Sequence, residues 1–193
     1  MQGIIFMSKK KVLALWRDEK MNEEEARILR TPCAEVPMPF GPESRRDIQT
    51  LFKAFMERDD ALGLAAPQIG ISKRVIAFRN KNFEVKGRLT DEQDCDVLIN
   101  PRITQTRGEP VKGTEGCLSC PDIQVEISRF PEIKVRALDR EGRKINRRYT
   151  HFLARIVQHE MDHLDGKLIV DYDGDIYVPR KSQGFFDRLF DKK

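Results

Sequence analysis

Residues 159–163 read HEMDH, two histidines four positions apart with a glutamate directly after the first. On a helix, positions i and i+4 lie one turn above each other, so both imidazoles point at one spot and can share a metal ion. Glu160 between them is close enough to exchange a proton with water on such an ion. A chain with only three histidines rarely places two at this spacing by chance. A catalytic site of this kind takes a third protein ligand and leaves one position for water. Downstream, an HExxHxxGxxH pattern fits through Gly166 and fails at Ile169, and no glutamate follows Glu160. His151 stands two turns upstream, about 12 Å away at 1.5 Å per residue, too far to share the ion. Only aspartates remain downstream, Asp171 or a neighbour among them. Upstream, Cys117 within residues 115–119 (EGCLS) offers a thiolate.

A thiolate with two imidazoles is a catalytic donor set for zinc and other transition metals. The opposing reading of Cys117 is a small buried hydrophobe, the common fate of a free cysteine. Cys117 and Cys120 also form a C-x-x-C. No second pair completes a zinc knuckle, however, and no βαβ pattern surrounds it, so Cys120 reads as a packed thiol near the site. Asp171, Asp173 and Asp175 resemble the start of a calcium loop, but glycine falls at the fourth position and Ser182 at the twelfth. A solvated acidic loop fits them better.

Several elements must position these residues. Residues 1–27 form a charged lead-in, irregular or helical, with no evident role. Four prolines in residues 31–42 impose an extended loop. The spacing of Ile48, Leu51, Phe52, Phe55 and Met56 predicts an amphipathic helix starting near Glu43 or Ser44. Residues 74–78, 97–99, 125–127 and 133–138 are short segments rich in β-branched residues and read as strands. Residues 139–142 make a hairpin turn into a further strand near 144–147. A second helix is expected over 151–164, capped by Thr150 and ended by Gly166 in a left-handed conformation. The expectation is one α+β domain over residues 1–193 with mostly antiparallel sheets.

The chain has 35 basic and 31 acidic residues, a net +4. Its basic clusters are short and lack interleaved aromatics, so no specific nucleic acid is expected. No apolar run spans a membrane, and the stretch at residues 3–7 is too short for a signal-peptide core. A cytoplasmic location follows, and with it four reduced cysteines.

Three stretches, residues 63–68 (GLAAPQ), 115–119 (EGCLS) and 158–163 (QHEMDH), together resemble the three motifs of peptide deformylases, over roughly residues 28–171. The resemblance implies antiparallel β-sheets packed around the helix that carries HExxH. It implies one divalent transition metal, Fe²⁺ first, with Zn²⁺, Ni²⁺ or Co²⁺ able to occupy the site. By position Cys117, His159 and His163 match the family's ligands and Glu160 its acid/base. Gln68 and the backbone N–H of Leu118 match the donors that polarise a formyl oxygen. The implied reaction removes the formyl group from the N-terminal methionine of new polypeptides and releases formate. Its partners are formylated nascent N-termini, with transient ribosome contact. Gly63, Leu64, Glu115 and Gly116 are expected to bind substrate, partly through strand-like backbone pairing, and Phe152 and Ile156 to line an apolar pocket for a methionine side chain. Ala61 replaces the first motif's usual glycine, so its φ should be negative. Gln124 stands where many relatives carry arginine, with Arg129 the nearest alternative. Two rivals remain: an HExxH protease using Asp171 or a neighbour, and a structural metal domain whose fourth position is closed by protein, for instance by Cys120.

Overall fold

The computed structural model describes residues 10–83 and 87–190; the apolar stretch at 3–7 lies outside them. Five strands form one antiparallel sheet in the order β3 (Gly63–Ala65), β4 (Val75–Arg79), β5 (Cys95–Arg107), β8 (Glu132–Leu138), β9 (Lys144–Thr150). Strand β4 shows how its two faces are used. Val75 and Ala77 point to α2 (Pro42–Met56), where Ile48, Leu51 and Phe55 close one core. Ile76 and Phe78, offset by one residue, point to α3 (His151–Leu164) and pack with Ala154, Val157, Met161 and Leu164. This is the period-two alternation of a sheet covered on both sides.

A second antiparallel sheet runs β10 (Ile176–Tyr177), β7 (Cys120–Arg129), β6 (Val111–Cys117). Its apolar face, Ile123, Val125 and Ile127, is covered from both ends of the chain. From the N-terminal side come Leu15 and Trp16 and, from helix α1 (Glu23–Leu29), Ala26 and Leu29. From the C-terminal side comes Phe186 of α4 (Gln183–Phe190), its ring 5.4 Å from that of Trp16. The described part of the lead-in is therefore folded: a two-stranded ribbon, β1 (Trp16–Arg17) with β2 (Lys20–Met21), followed by α1.

The HEMDH helix is set at an angle to the sheet that feeds it. Strand β9 runs to Thr150 and α3 begins at the next residue, without a linker. His151 makes the corner at φ 52°, and its N–H donates to the Pro131 carbonyl at 2.7 Å. Thr150 makes no side-chain cap bond, because its residue is the last of the strand ladder, paired with Glu132. At the other end Gly166 has φ +72°, and a Cβ there would run into the backbone of Arg30. Glycine is thus required twice over, by conformation and by space. The extended segment before α2 is pinned by Asn100, whose side chain accepts from the Val36 N–H and donates to its carbonyl.

Candidate active site

Burying one face of α3 against the five-stranded sheet leaves His159, Glu160 and His163 on the side facing the second sheet. The two imidazoles lie 5.2 Å apart, inclined at 75°. Strand β6 delivers Cys117 from the opposite side, its Sγ 3.3 Å from His163 Nε2. The donor atoms of Cys117, His159 and His163 all lie within 4.8 Å of one another, the one group of metal-type ligands so gathered among the described residues. Asp171 is elsewhere: one oxygen takes Arg30 at 2.8 Å and the other the Leu168 N–H at 2.8 Å. That removes it as a third ligand.

The donor set fits a soft or borderline divalent ion. The hydrogen bond from the Cys120 thiol outweighs burial and, with His163 and His159, holds the Cys117 thiol well below its ordinary pKa. The thiolate a metal needs is therefore favoured. Glu160 is 4 % exposed, and its Oε2 has no hydrogen-bond partner. Burial pushes its carboxyl up to about 7, against the pull of the two imidazoles. A buried carboxylate oxygen left without a protein partner costs free energy, and such groups mark places that receive a proton, water or ligand.

Glu115 organises the site from behind. Burial would raise its carboxyl, but His159 and Arg129 hold it down to about 2. One oxygen lies 2.9 Å from His159 Nδ1, which places the ring proton there and leaves Nε2 free to ligate. Arg129 grips both oxygens, at 3.0 and 2.9 Å, and Arg155 adds a bond of 2.7 Å. Arg129 in turn reaches Asp162 at 2.5 Å, which accepts from the Tyr172 hydroxyl at 2.7 Å. Glu115, expected among the substrate contacts, thus engages His159 and two arginines. Arg129, named only as a substitute at the Gln124 position, is 5 % exposed within this network. Reading the sequence missed Arg155, Asp162 and Tyr172. Asp162 did stand inside the motif, between the two ligands.

A cavity of about 520 Å³ opens over these groups. Gly63, Gly116, Leu118, Phe152 and Ile156 line it with Gln68, whereas the Leu64 side chain is wholly buried in the core. A Cβ at Gly63 would overlap the Glu160 carboxylate, so glycine there leaves that side chain its position. Ala61 has no positive φ, as its side chain requires. Gln68 sits on the 3-10 turn Ala66–Ile69. Its carboxamide oxygen accepts the Ala65 N–H at 2.8 Å, and its nitrogen reaches Ser119 Oγ at 3.1 Å and Cys117 Sγ at 3.9 Å. Two backbone bonds from the N-terminal segment brace this arrangement: the Leu13 N–H donates to the Gln68 carbonyl at 2.7 Å and the Leu15 N–H to that of Ser119 at 2.9 Å.

Known proteins share this architecture. The family model described as polypeptide deformylase matches residues 19–176. Peptide deformylase 1 of Bacillus subtilis is 38 % identical over 150 residues, covering 78 % of this chain and 86 % of that protein. The peptide deformylase of Synechococcus elongatus in complex with actinonin superposes with a TM-score of 0.70 at 33 % identity, over 96 % of this chain and 89 % of that one. The Met-Ala-Ser-bound class I type b enzyme of Acinetobacter baumannii gives 0.66 at 31 % identity, over 83 % and 99 %. The ligand cluster, the buried glutamate and these likenesses agree, and the chain belongs to the polypeptide deformylase family.

Proposed function

We propose that deformylation of N-formylmethionyl peptides, the reaction of this family, is carried out here by Glu160 with Gln68 and Leu118, beside a divalent transition ion on Cys117, His159 and His163. The observation that carries the reading is the meeting of those three donors within 4.8 Å, next to a buried carboxylate oxygen that has no protein partner. When bound, the ion supplies Lewis acidity, lowering the pKa of water and polarising the carbonyl. Glu160 receives the proton at its unpartnered Oε2 and returns it to the departing amine, so that a free N-terminus and formate result. The Gln68 carboxamide nitrogen and the Leu118 backbone N–H donate to the formyl oxygen as negative charge builds on it. The anchored oxygen of Gln68 supports this role, because it leaves the nitrogen as the end turned toward Cys117. Fe²⁺ is the ion we assign in the cell, with Zn²⁺, Ni²⁺ and Co²⁺ able to replace it on the same donors.

The substrate lies extended between two sheet edges. Strand β3 ends one sheet and β6 ends the other, and Gly63 and Gly116 from these edges both line the cavity. A peptide backbone can pair with such edges, which directs its blocked end at the ligands. Ile156 and the half-exposed Phe152 offer an apolar wall for the methionine side chain. We place the enzyme in the cytoplasm; no helix among the described residues is long and apolar enough to cross a membrane. The test compares formyl-Met-Ala, acetyl-Met-Ala and a blocked internal peptide at equal concentration. Formate release from the first alone is the expected result, and comparable cleavage of the internal peptide would return the protease reading.

A further inference from the structure

Deformylation uses Cys117 but leaves its pair in the C-x-x-C, Cys120, without a role. The two are direct cross-strand partners where β6 turns into β7 through Leu118 and Ser119. Opposed residues in an antiparallel pair hold their Cα atoms about 4.5–5.5 Å apart, inside the roughly 4.4–6.8 Å that a disulfide spans. The surroundings of the two cysteines differ in a useful way. Cys117 lines the cavity, within reach of a small reagent, while Cys120 is 0 % exposed and packs with Ile123 and Val125. Cys33 and Cys95 are free thiols placed in other parts of the core.

We propose that this pair is a modification site at which hydroperoxides convert Cys117 into a reversible Cys117–Cys120 disulfide. In the first step the Cys117 sulfur attacks the O–O bond of hydrogen peroxide. One oxygen stays on sulfur as a sulfenic acid, and the other departs as water with the thiol proton. In the second step the Cys120 sulfur attacks that of Cys117. The S–O bond breaks, and the hydroxyl leaves with the Cys120 proton as a second water. Two electrons from the sulfur pair have then reduced one peroxide. Cys120 acts as the resolving thiol and needs no access to solvent, since its only target is its cross-strand neighbour. The disulfide withdraws the thiolate from the two imidazoles and should release the ion. This consequence rests on the proposed ligand set; formation of the bond does not.

The test treats the Zn²⁺-loaded enzyme with hydrogen peroxide, so that the ion itself undergoes no redox change. Remaining thiols are alkylated, and tryptic segment 113–129, which contains Cys117 and Cys120 and no other cysteine, is weighed. The segment should be two hydrogens lighter and unalkylated, return to its original mass with dithiothreitol, and form in step with zinc release. Cys120→Val should instead accumulate two or three oxygens on Cys117 that dithiothreitol does not remove. Cys120→Ser should do the same, should the valine variant fold poorly. A wild-type segment that gains oxygens while Cys120 stays open to alkylation overturns the proposal. A disulfide that forms without zinc release upholds the bond and overturns the assignment of Cys117 as a ligand.

Discussion

Glu115→Gln probes how the protein presents His159 to a metal. The substitution keeps the side chain's shape but removes its charge, and one of its two acceptor oxygens becomes an NH₂. Three cationic or protonated groups lose part of their partner at once: the His159 Nδ1–H at 2.9 Å, the Arg129 fork at 3.0 and 2.9 Å, and Arg155 at 2.7 Å. Loss of such an outer partner typically lowers metal affinity by about 10–100-fold. Breaking one side of a buried ion pair costs about 3–5 kcal/mol when the remaining charge has no other partner. Here Asp162 stays on Arg129 at 2.5 Å, and Arg155 also bonds the Ile127 and Val111 carbonyls. The stability loss should therefore fall near the lower end of that range. Competition against a zinc chelator gives the affinity, and urea unfolding of the metal-free protein gives the stability, so the two effects separate. Unchanged zinc affinity in a variant that is destabilised would show that Glu115 serves the fold alone, and would refute its role in orienting His159.

Four further outcomes follow from the same geometry. Glu160→Gln should keep metal bound and lose turnover, because the carboxylate handles protons and is not among the clustered donors; loss of the ion on dialysis would count against it. Gln68→Ala should lower kcat about 10²–10³-fold with metal content intact, and a change confined to KM would make Gln68 a substrate-positioning group only. Gly63→Ala pushes a Cβ into Glu160, whose flexible side chain can give way. Stability should change little while kcat falls, by about 10²-fold for a displacement near 1 Å; unaltered kcat would show that the carboxylate tolerates the shift. Glu25 concerns pH: burial alone would raise its carboxyl, but Lys11, the Ala14 N–H and Arg17 hold it down from 4.5 to about 2. A lowered pKa contributes stability that is complete above the unfolded value and disappears as pH falls through the folded one. The stability gap between wild type and Glu25→Gln should therefore be full at pH 6 and shrink between about pH 4.5 and 2, as read by urea unfolding of the metal-free proteins; a gap independent of pH would contradict this.

Some of this molecule was legible because its periodicity is undiluted. The α3 expectation, residues 151–164, matches the observed helix residue for residue, and the strands expected at 74–78, 97–99, 125–127 and 133–138 correspond to β4 (Val75–Arg79), β5 (Cys95–Arg107), β7 (Cys120–Arg129) and β8 (Glu132–Leu138), two of them much longer than expected. Strand β6 was not legible, although it carries Cys117. Only Glu115 among its residues is buried, and Gly113 and Gly116 interrupt any alternation. The packing of the lead-in left no sign for a different reason. Leu13, Leu15 and Trp16 belong to a short apolar run, residues 12–16, flanked by charges on both sides, and their partners, Phe186 and Leu168, lie more than a hundred residues away. Pairing of that kind leaves no local pattern. The same holds for the ion network, since nothing local reveals that Arg129 on β7 will meet Glu115 on β6 and Asp162 on α3.

Two of the strands that the sequence concealed, β3 and β6, border the cavity, and the reason is physical. A sheet edge with free N–H and C=O groups invites association with other chains, and proteins blunt such edges by keeping them short, charged or glycine-rich. Strand β3 has only three residues and begins with glycine; β6 carries Lys112, Glu115 and two glycines. These features erase the alternating apolar signal by which strands are recognised in a sequence. Gly63 also lets Glu160 approach the edge of β3, where we propose that the substrate backbone pairs. The Leu13 and Leu15 N–H groups then brace the turns carrying Gln68 and Ser119 without pairing with either edge strand.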